Sequence, residues 1–430
     1  MTGLAPAAPD SPPSSKKPIP FVLWIIMALG LGLAAGLGLH HGADPAISAR
    51  VAIWLKEVAG FVLGLLRLLA TPLIFTAILM ALVKAEVSGR SGARLLWFIS
   101  TNTLVAILIG LVVANTIRPG IGADLPAPKA ADTAALAAKP VFDPWRDFVL
   151  KSIPKNLIDP FRENDMIGVI LLALVLGAGL RTLRTRGGRP AEHVASLVSA
   201  AETVFELLLV LLHWLFKAVP VAVFAVVAAV VASKGLSPLL AMGWFVLAVL
   251  VALLLQAGFY LLRLRRGSWV RPGHFLKGAS EALAVAFSTA SSTATLPVTY
   301  RCAVQKLGVR PANASLGVMV GGSMNNDGTA LYEAVAALFI AQAIGQHLGP
   351  GAQILLIFMA VIASVGAAGI PEAGLITMIA VFTAVKLPVE YIPLLLTVDW
   401  FLDRCRTAIN VMGDLAVTSL LDGRERAGPQ

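Results

Sequence analysis

The sequence predicts an all-α polytopic membrane protein, and three observations support this fold class. Of the 430 residues, 57% are hydrophobic and only 13% are charged, whereas soluble domains carry about 25% charged residues. Mean hydropathy is high, at +0.83. Apolar runs of about 20 residues, the length that crosses a bilayer, recur along the chain. This composition excludes a soluble enzyme, a nucleic-acid-binding protein and a disordered scaffold.

The net charge of +10 also has a membrane explanation. The basic residues lie between apolar spans and do not cluster on one domain, so no nucleic-acid partner is expected. Two cysteines, Cys302 and Cys405, are too few for a disulfide framework.

Six apolar spans precede residue 270, and a more polar region follows. The predicted spans are 19–39, 51–83, 94–117, 163–180, 199–232 and 238–262. The first is expected to be a retained helix and not a cleaved signal peptide, because its apolar core exceeds the usual ~7–15 residues. Residues 1–18 read as a disordered cytoplasmic tail, and 120–142 as an exposed loop. The predicted organisation is therefore the tail, helices one to six within 19–270, and a functional core at 274–423.

Basic residues in short loops indicate the orientation. All of them fall on one side of the membrane if the N-terminus is cytoplasmic. They are Lys16, Lys17, Lys84, Arg90, Arg94, Arg181, Arg184, Arg186, Arg189, Arg263, Arg265, Arg266, Arg271 and Lys277. The sequence thus predicts cytoplasmic N- and C-termini in a plasma membrane, specifically a bacterial inner membrane.

The last span, about 390–421, carries charges that cost roughly 2.5–3.5 kcal/mol each at the middle of a membrane helix. Five polar residues are spaced to share one helical stripe: Asp399, Asp403, Arg406, Asn410 and Asp414. Internal pairing of Asp403 with Arg406 or Arg404 could serve only to hold helices together, but one pair would suffice for that. Three carboxylates on the stripe favour a pocket that meets both charges of a zwitterion and one or more cations.

Three irregular segments accompany the stripe, at 288–297, 321–329 and 366–374. Gly and Pro at membrane depth free backbone carbonyls and amides, which is tolerated only where the backbone lines a cavity or is buried in protein. Each break alone is compatible with an ordinary kink, but three breaks beside a charged stripe indicate a transporter binding site. Their order, a broken segment before each of two polar helices, predicts an inverted repeat of re-entrant hairpin and helix.

Four ordered motifs in this region resemble those of the dicarboxylate/amino acid:cation symporter family, which includes glutamate/aspartate and excitatory amino-acid transporters. They are Ser-Ser-Thr-Ala-Thr-Leu-Pro (291–297), Asn-Asn-Asp-Gly-Thr-Ala-Leu-Tyr-Glu (325–333), Gly-Ile-Pro-Glu-Ala-Gly (369–374) and Asp-Trp-Phe-Leu-Asp-Arg-Cys-Arg-Thr-Ala-Ile-Asn-Val-Met-Gly-Asp (399–414). The resemblance implies eight transmembrane helices, two re-entrant helical hairpins, a homotrimer and an elevator motion. Helices 1, 2, 4 and 5 would form the scaffold, and helices 3 and 6 would move with the transport core.

The resemblance implies L-glutamate or L-aspartate as the substrate. Arg406 matches the arginine that pairs with the substrate side-chain carboxylate, a role that suits a planar guanidinium. Asp403 matches the acid that holds the substrate ammonium group. Having both favours an acidic amino acid over a neutral amino acid or a C4-dicarboxylate. The other implied substrate contacts are Ser291, Ser292, Asn326, Thr329, Ile370, Gly374, Thr407 and Asn410.

The resemblance also implies three Na⁺ sites made of hard oxygen ligands. The first uses Asp414 with the backbone of Gly321, Asn325 and Asn410. The second uses the backbone of Ser323, Ser364, Val365 and Ala367. The third uses Asp327, Asn325, Thr103 and, in this chain, Asn102.

Two positions outside these sites also match the family. Glu333 matches a glutamate that carries H⁺ in proton-coupled members, with a paired structural acid as the alternative. Arg404 matches an arginine that other prokaryotic members place in the first hairpin, where this chain has Ala290.

The chain departs from the family pattern near the implied cation sites. Asn326 stands where methionine is usual, Asn102 where a threonine ligand is usual, and Ile99 where a tyrosine is usual. Glu372 replaces a Gln or Gly in the lid. Cation-coupled uptake is therefore predicted with Na⁺ favoured over H⁺ alone, and the number of ions stays open.

An enzyme is the competing functional class. Met412-Gly413-Asp414 half resembles an intramembrane aspartyl protease motif, but the first glycine and a Tyr-Asp partner helix are missing. Ser291 and Ser292 have no histidine nearby in sequence that could activate them. A channel is harder to separate from a transporter, since members of this family can leak anions.

Overall fold

The structure, a computed structural model, describes residues 21–84, 89–123, 125, 156–162, 166–186, 188–366 and 373–425, and all regular structure in these ranges is helical. The tail 1–18, most of the predicted loop 120–142 and the lid segment 367–372 lie outside them. Five of the described helices are long and apolar enough to cross a membrane. They are Leu23–Gly42, Arg90–Ile117, Gly168–Thr185, Ala191–Leu215 and Ser237–Gly267.

Described helices of ten or more residues are labelled in chain order. They are α1 (Phe21–Gly42), α2 (Pro45–Lys84), α3 (Gly89–Ile117), α4 (Met166–Thr185), α5 (Gly188–Phe216), α6 (Val219–Lys234), α7 (Ser237–Gly267), α8 (Pro272–Thr289), α9 (Ser292–Arg301), α10 (Asp327–Ala343), α11 (Pro350–Gly366), α12 (Ala373–Ala384) and α13 (Ile392–Leu421). Shorter helical segments are Asp159–Arg162, Cys302–Lys306, Pro311–Ala314, Ser315–Val320, Gly321–Ser323 and Val389–Tyr391.

The fifth predicted span is wrong, because it is not a single helix. Residues 199–232 form two helices, α5 and α6, and α5 begins earlier, at Gly188. The break falls at 217–218, directly before a first turn that contains Pro220. Proline lacks an N–H and clashes with the preceding turn in a helix interior, but it is tolerated in a first turn. The other five early spans each correspond to a single helix.

The hydroxyl-rich run at 288–297 is a helix–turn–helix, as its predicted break requires. α8 ends at Thr289, and the next residue, Ala290, adopts a left-handed conformation with φ of 51°. Ser291 then caps α9, because its side chain accepts a hydrogen bond from the backbone N–H of Ala294 at 3.2 Å. A serine cap satisfies one of the free amides at a helix start.

The second predicted break is also present. The chain passes through a π-helical turn, Ser315–Val320, and a 3₁₀ turn, Gly321–Ser323, before α10 begins at Asp327. Gly317 packs directly on α13, where a Cβ would lie 2.2 Å from Thr418 Oγ1. Any larger residue would push this segment away from α13.

Two groups of helices differ in what they pack against. α6 packs on α1 and α2, and α2 also packs on α4 and α5. α13 packs on α7, α8 and α10, while α3 packs on α7 and α10. Every residue from 327 to 341 in α10 is buried. The polar residues of α10 and α13 therefore face each other inside the protein, and the division into scaffold and moving core stays a prediction.

Asp422, directly after α13, connects the end of this helix by hydrogen bonds to the segment between α9 and α10 and to the segment after α7. Its carboxylate accepts hydrogen bonds from Arg310 Nε at 2.7 Å, Asn313 Nδ2 at 2.8 Å and Trp269 Nε1 at 2.8 Å. Burial alone would raise the pKa of this carboxyl, but these hydrogen bonds outweigh it and lower the pKa below its ordinary value.

Candidate functional site

The stripe of α13 is centred on a buried guanidinium. Arg406 is 1% exposed, and its Nη2 lies 2.7 Å from Asp403 Oδ1 and 3.1 Å from Asp399 Oδ1. Its guanidinium carbon lies 4.0 Å from the centre of the Tyr332 ring, a cation–π contact. The ion pair considered as an alternative from sequence is therefore present.

The pairing leaves part of the guanidinium free. Nε and Nη1 of Arg406 are buried and have no hydrogen-bond partner among the described residues. Buried donors without acceptors are destabilising by about 1–3 kcal/mol, more for a charged group. These two nitrogens carry three of the five N–H groups of the guanidinium, and a carboxylate is an acceptor that suits them.

Two glycines bring neighbouring backbones close to Arg406. At Gly328, at the start of α10, a Cβ would lie 2.7 Å from the carbonyl oxygen of Arg406. At Gly374, in the first turn of α12, it would lie 3.3 Å from Arg406 Nη1. The predicted lid residue Gly374 thus adjoins the guanidinium, whereas Ile370 lies outside the described residues.

The other predicted substrate residues lie on three elements. Ser291 and Ser292, at the start of α9, and Thr329, in the first turn of α10, are buried. Thr407 Oγ1 donates to the carbonyl oxygen of Asp403 at 2.8 Å, within α13.

Arg404 reaches the first hairpin from α13, as its predicted exchange with position 290 requires. Its Nη1 donates to the carbonyl oxygens of Phe287 at 3.0 Å and Ser288 at 2.5 Å. These carbonyls lie at the end of α8, directly before Ala290.

The first predicted cation site brings its residues together. Asp414 Oδ1 accepts from Asn325 Nδ2 at 2.9 Å, and the same amide lies 3.2 Å from the carbonyl oxygen of Asn410. Asn325 Oδ1 is buried and has no hydrogen-bond partner where the structure is described. The Cβ position of Gly322 lies 3.2 Å from Asp414 Oδ2. The Gly321 carbonyl already accepts the backbone N–H of Asn325 at 2.9 Å. A carboxylate and an unpartnered amide oxygen fit a hard cation.

The second predicted site contains a competing donor. Asn326 Nδ2 donates to the carbonyl oxygen of Ser364 at 3.0 Å, and Asn326 Oδ1 lies 3.3 Å from Asn410 Nδ2. The side-chain hydroxyl of Ser364 has no partner among the described residues. Of the remaining ligands, Ser323 and Val365 lie in described helical backbone, and Ala367 lies outside the described residues. Asn326 thus engages a carbonyl assigned to a cation.

In the third predicted site, two hydroxyl groups already donate hydrogen bonds to the carboxylate of Asp327. Thr103 Oγ1 donates to Asp327 Oδ1 at 2.6 Å, and Tyr260 Oη donates to Asp327 Oδ2 at 2.6 Å. Asn102 is predicted as a ligand of this site, but its side-chain oxygen is engaged elsewhere. Asn102 Oδ1 accepts a hydrogen bond from Arg263 Nη1.

Glu333 lies one turn beyond Thr329 in α10 and is fully buried. Neither of its carboxylate oxygens has a hydrogen-bond partner among the described residues. Thr377 and Arg406 are nevertheless its polar and charged neighbours, so the proton carrier and the paired structural acid both stay predictions.

The sequence that forms this arrangement matches a known family. The family model of the sodium:dicarboxylate symporter family matches residues 21–423. The chain belongs to this family. Its members are symporters, so the protein is a multi-pass membrane transporter and not an enzyme.

Similar members of the sodium:dicarboxylate symporter family have different substrates in their names. The proton/glutamate-aspartate symporter of Escherichia coli is 29% identical over 91% of this chain and 89% of its own length. The neutral amino acid transporter B(0) of Homo sapiens is 32% identical over 93% and 79%. The C4-dicarboxylate transport protein of Rhizobium leguminosarum is 30% identical over 96% and 91%. Family membership therefore leaves the substrate to be argued from the site.

Sequence reasoning missed three contributors to this symporter's core. Tyr260 supplies the hydroxyl on Asp327, Tyr332 supplies the ring beside Arg406, and Arg263 holds Asn102. A signal existed for Tyr260: it is one of only 4 tyrosines and stands within an apolar span, where its hydroxyl needs a partner.

Proposed function

We propose that the protein takes up L-glutamate or L-aspartate together with cations. The observation that carries this proposal is the half-satisfied guanidinium of Arg406. Two of its buried nitrogens, Nε and Nη1, have no partner in the described part of the chain, and Asp403 and Asp399 hold the third, Nη2. A substrate side-chain carboxylate would bind the free edge.

The substrate ammonium group is assigned to Asp403. This carboxylate is only half-buried, at 13% exposure, whereas Asp399 is 4% exposed. The more accessible acid can turn from Arg406 to an incoming ammonium group while Asp399 keeps the guanidinium in place. Thr329, Thr407 and Asn410 and the start of α9 would complete the contacts. A neutral amino acid would offer no side-chain carboxylate to Nε and Nη1 of Arg406, and a C4-dicarboxylate would offer no ammonium group to Asp403.

Charge balance supports coupling to cations. Four carboxylates are fully buried in α10 and α13, those of Asp327, Glu333, Asp399 and Asp414, beside a single buried guanidinium. An acidic amino acid would add further negative charge to this set. Uncompensated charge in a dry interior is strongly unfavourable, so cations or protons must enter with the substrate.

The coupling ions are assigned site by site. We propose Na⁺ at the Asp414 site, where Asn325 offers a free oxygen, and H⁺ on Glu333, whose unpartnered carboxylate can be buried in its neutral form. The Asn326 amide occupies the Ser364 carbonyl, and two hydroxyls already satisfy Asp327. These two sites are therefore weaker candidates for Na⁺.

The architecture is proposed from the same family. Eight transmembrane helices, two re-entrant hairpins and a homotrimer would carry an elevator motion, with α3 and α7 moving with α8 to α13. Both termini would be cytoplasmic, and the membrane would be a bacterial inner membrane. The packing of α3 and α7 against α13 and α10 supports their motion as one unit.

Uptake of labelled aspartate into proteoliposomes tests the substrate assignment, with glutamate, succinate and alanine as unlabelled competitors. We expect the two acidic amino acids to compete strongly and the other two weakly. Stronger competition by succinate would favour a C4-dicarboxylate carrier, and stronger competition by alanine a neutral amino-acid carrier. Arg265→Ala serves as a control for Arg406→Ala, because Arg265 is an exposed arginine at the end of α7.

A further inference from the structure

A cavity of about 450 Å³ lies where α3, the end of α7 and the end of α13 meet. Four arginines line it: Arg94 of α3, Arg263 and Arg266 of α7, and Arg424, which follows the end of α13. None of the residues lining it is acidic. Of the four, Arg263 has the carboxylate of Asp327 in its surroundings. Four arginines around a cavity without an acidic lining residue form a strong site for an anion.

Three of these arginines are available to a ligand. Arg94, Arg266 and Arg424 are exposed, and none of them has an ion pair with an acid in the described part of the chain. Arg263 differs, because it lies between the rings of Phe98 and Phe259 and donates to Asn102 and Thr101. It forms the partly buried back wall of the cavity, and the other three form its exposed rim.

The floor of the cavity is apolar and continues into exposed apolar surface. Phe98, Phe259 and Leu262 line the cavity beside the arginines. From there, Leu262 and Leu255 follow one face of α7, and Trp97, Leu104 and Leu108 follow one face of α3, all of them well exposed. A headgroup in the cavity would therefore have its acyl chains along these two helices.

We propose that this cavity binds the phosphate headgroup of an anionic membrane lipid. Basic pockets between transmembrane helices bind such headgroups, and the adjoining apolar faces favour a lipid over a free phosphate ion. The cavity opens at the end of the helices where the basic loop residues gather, which is the cytoplasmic side in the proposed orientation.

The position of Arg263 connects this cavity to the transport core. Arg263 binds Asn102, and the next residue, Thr103, donates to Asp327. A phosphate bound in the cavity would compete with Thr101 and Asn102 for the Arg263 guanidinium. It would thereby weaken the hydrogen bonds between Arg263 and α3. The lipid would thereby modulate transport from outside the substrate site.

Lipid titration of the purified full-length protein, followed by native mass spectrometry, tests the proposal. Phosphatidylglycerol, phosphatidylcholine and inorganic phosphate are added separately. We expect retention of phosphatidylglycerol in preference to phosphatidylcholine. The triple variant Arg94→Gln, Arg266→Gln, Arg424→Gln should bind phosphatidylglycerol about 100-fold more weakly, since each basic side chain near a membrane surface contributes about fivefold.

Two further variants separate the site from general charge and from folding. The control Arg265→Gln, Arg271→Gln, Lys277→Gln removes three basic residues near the same end of the helices but outside the cavity, and it should bind like the unmodified protein. Lysine at the three rim positions should keep most of the binding. Equal weakening of phosphatidylglycerol binding in both triple glutamine variants would overturn the proposal. Displacement of the lipid by inorganic phosphate at comparable concentration would also overturn it, because it would indicate a site for a free anion.

Discussion

Replacing Asn326 by methionine tests how this transporter uses its second predicted cation site. The Asn326 amide donates to the Ser364 carbonyl oxygen at 3.0 Å and accepts from Asn410 Nδ2 at 3.3 Å. Asn326→Met removes both interactions, including the side-chain donor to the Ser364 carbonyl. That carbonyl then becomes available to a cation.

The expected magnitude follows from the exposed carbonyl. A buried polar group without a partner is destabilising by about 1–3 kcal/mol, and a typical hydrogen bond contributes about 1 kcal/mol. A cation that takes the place of the amide recovers a similar amount. Since about 1.4 kcal/mol corresponds to a factor of ten, the variant should need about tenfold less Na⁺ for half-maximal uptake.

The assay is uptake of labelled aspartate into proteoliposomes at fixed pH over a Na⁺ titration. Asn326→Leu is the matched control, because it frees the same carbonyl without adding a thioether. If the carbonyl is the new ligand, both variants shift in the same direction; if the sulfur takes part, only methionine does. An unchanged Na⁺ dependence in both variants, in correctly folded protein, would refute this account of Asn326.

Four further substitutions test other parts of the site and fold. Arg406→Ala should raise the KM for aspartate at least about 30-fold, because truncating one partner of a buried charge pair costs about 2–5 kcal/mol and about 1.4 kcal/mol corresponds to a factor of ten; continued high-affinity uptake would refute the assigned role. Asp403→Asn should weaken competition by aspartate more than competition by succinate, and equal loss for both would contradict its assignment to the ammonium group. Glu333→Gln should remove the dependence of uptake on an imposed pH gradient, and an intact dependence would exclude Glu333 as the proton carrier. Asp422→Asn should lower the unfolding temperature at neutral pH, because Arg310 loses its buried counter-charge. Since the pKa of Asp422 is lowered in the folded protein, its stabilisation is full above the ordinary aspartate pKa of about 3.9 and is lost as the pH falls through the lowered value. The difference between Asp422→Asn and the unmodified protein should therefore hold from neutral pH down to about 4 and shrink below it.

The helical class and the broken segments were predictable because they depend on local sequence. Apolar length predicts the early helices, and the run around Ser291 contains its own helix cap. The break between α5 and α6 was also local, since Pro220 marks it, but the apolar run on both sides concealed it. A hydropathy window does not register a two-residue interruption.

The partners within the site were only partly predictable. Spacing alone placed Asp399, Asp403 and Arg406 on one face of α13, because a helix fixes that geometry. Spacing could not place Tyr260 on Asp327, because these residues are brought together by the packing of α7 against the start of α10. The direction of the Asn102 side chain likewise depends on Arg263, on a different helix.

The arginine-lined cavity was not predictable from the sequence, because its residues also come from different helices. From sequence, Arg94, Arg263 and Arg266 contributed only to the orientation of the spans. Their convergence depends on how α3, α7 and α13 end next to one another. At that point Gly267 allows a close approach, since a Cβ there would lie 2.8 Å from Leu420 Cδ2.

The central claim is that an inward cation gradient drives accumulation of an acidic amino acid. Proteoliposomes with an inward Na⁺ gradient and, separately, an inward H⁺ gradient test this claim directly, with labelled aspartate outside. We predict that aspartate accumulates above its external concentration under the Na⁺ gradient, with an additional contribution from the H⁺ gradient. Uptake that only equilibrates and is indifferent to both gradients would contradict cation-coupled symport.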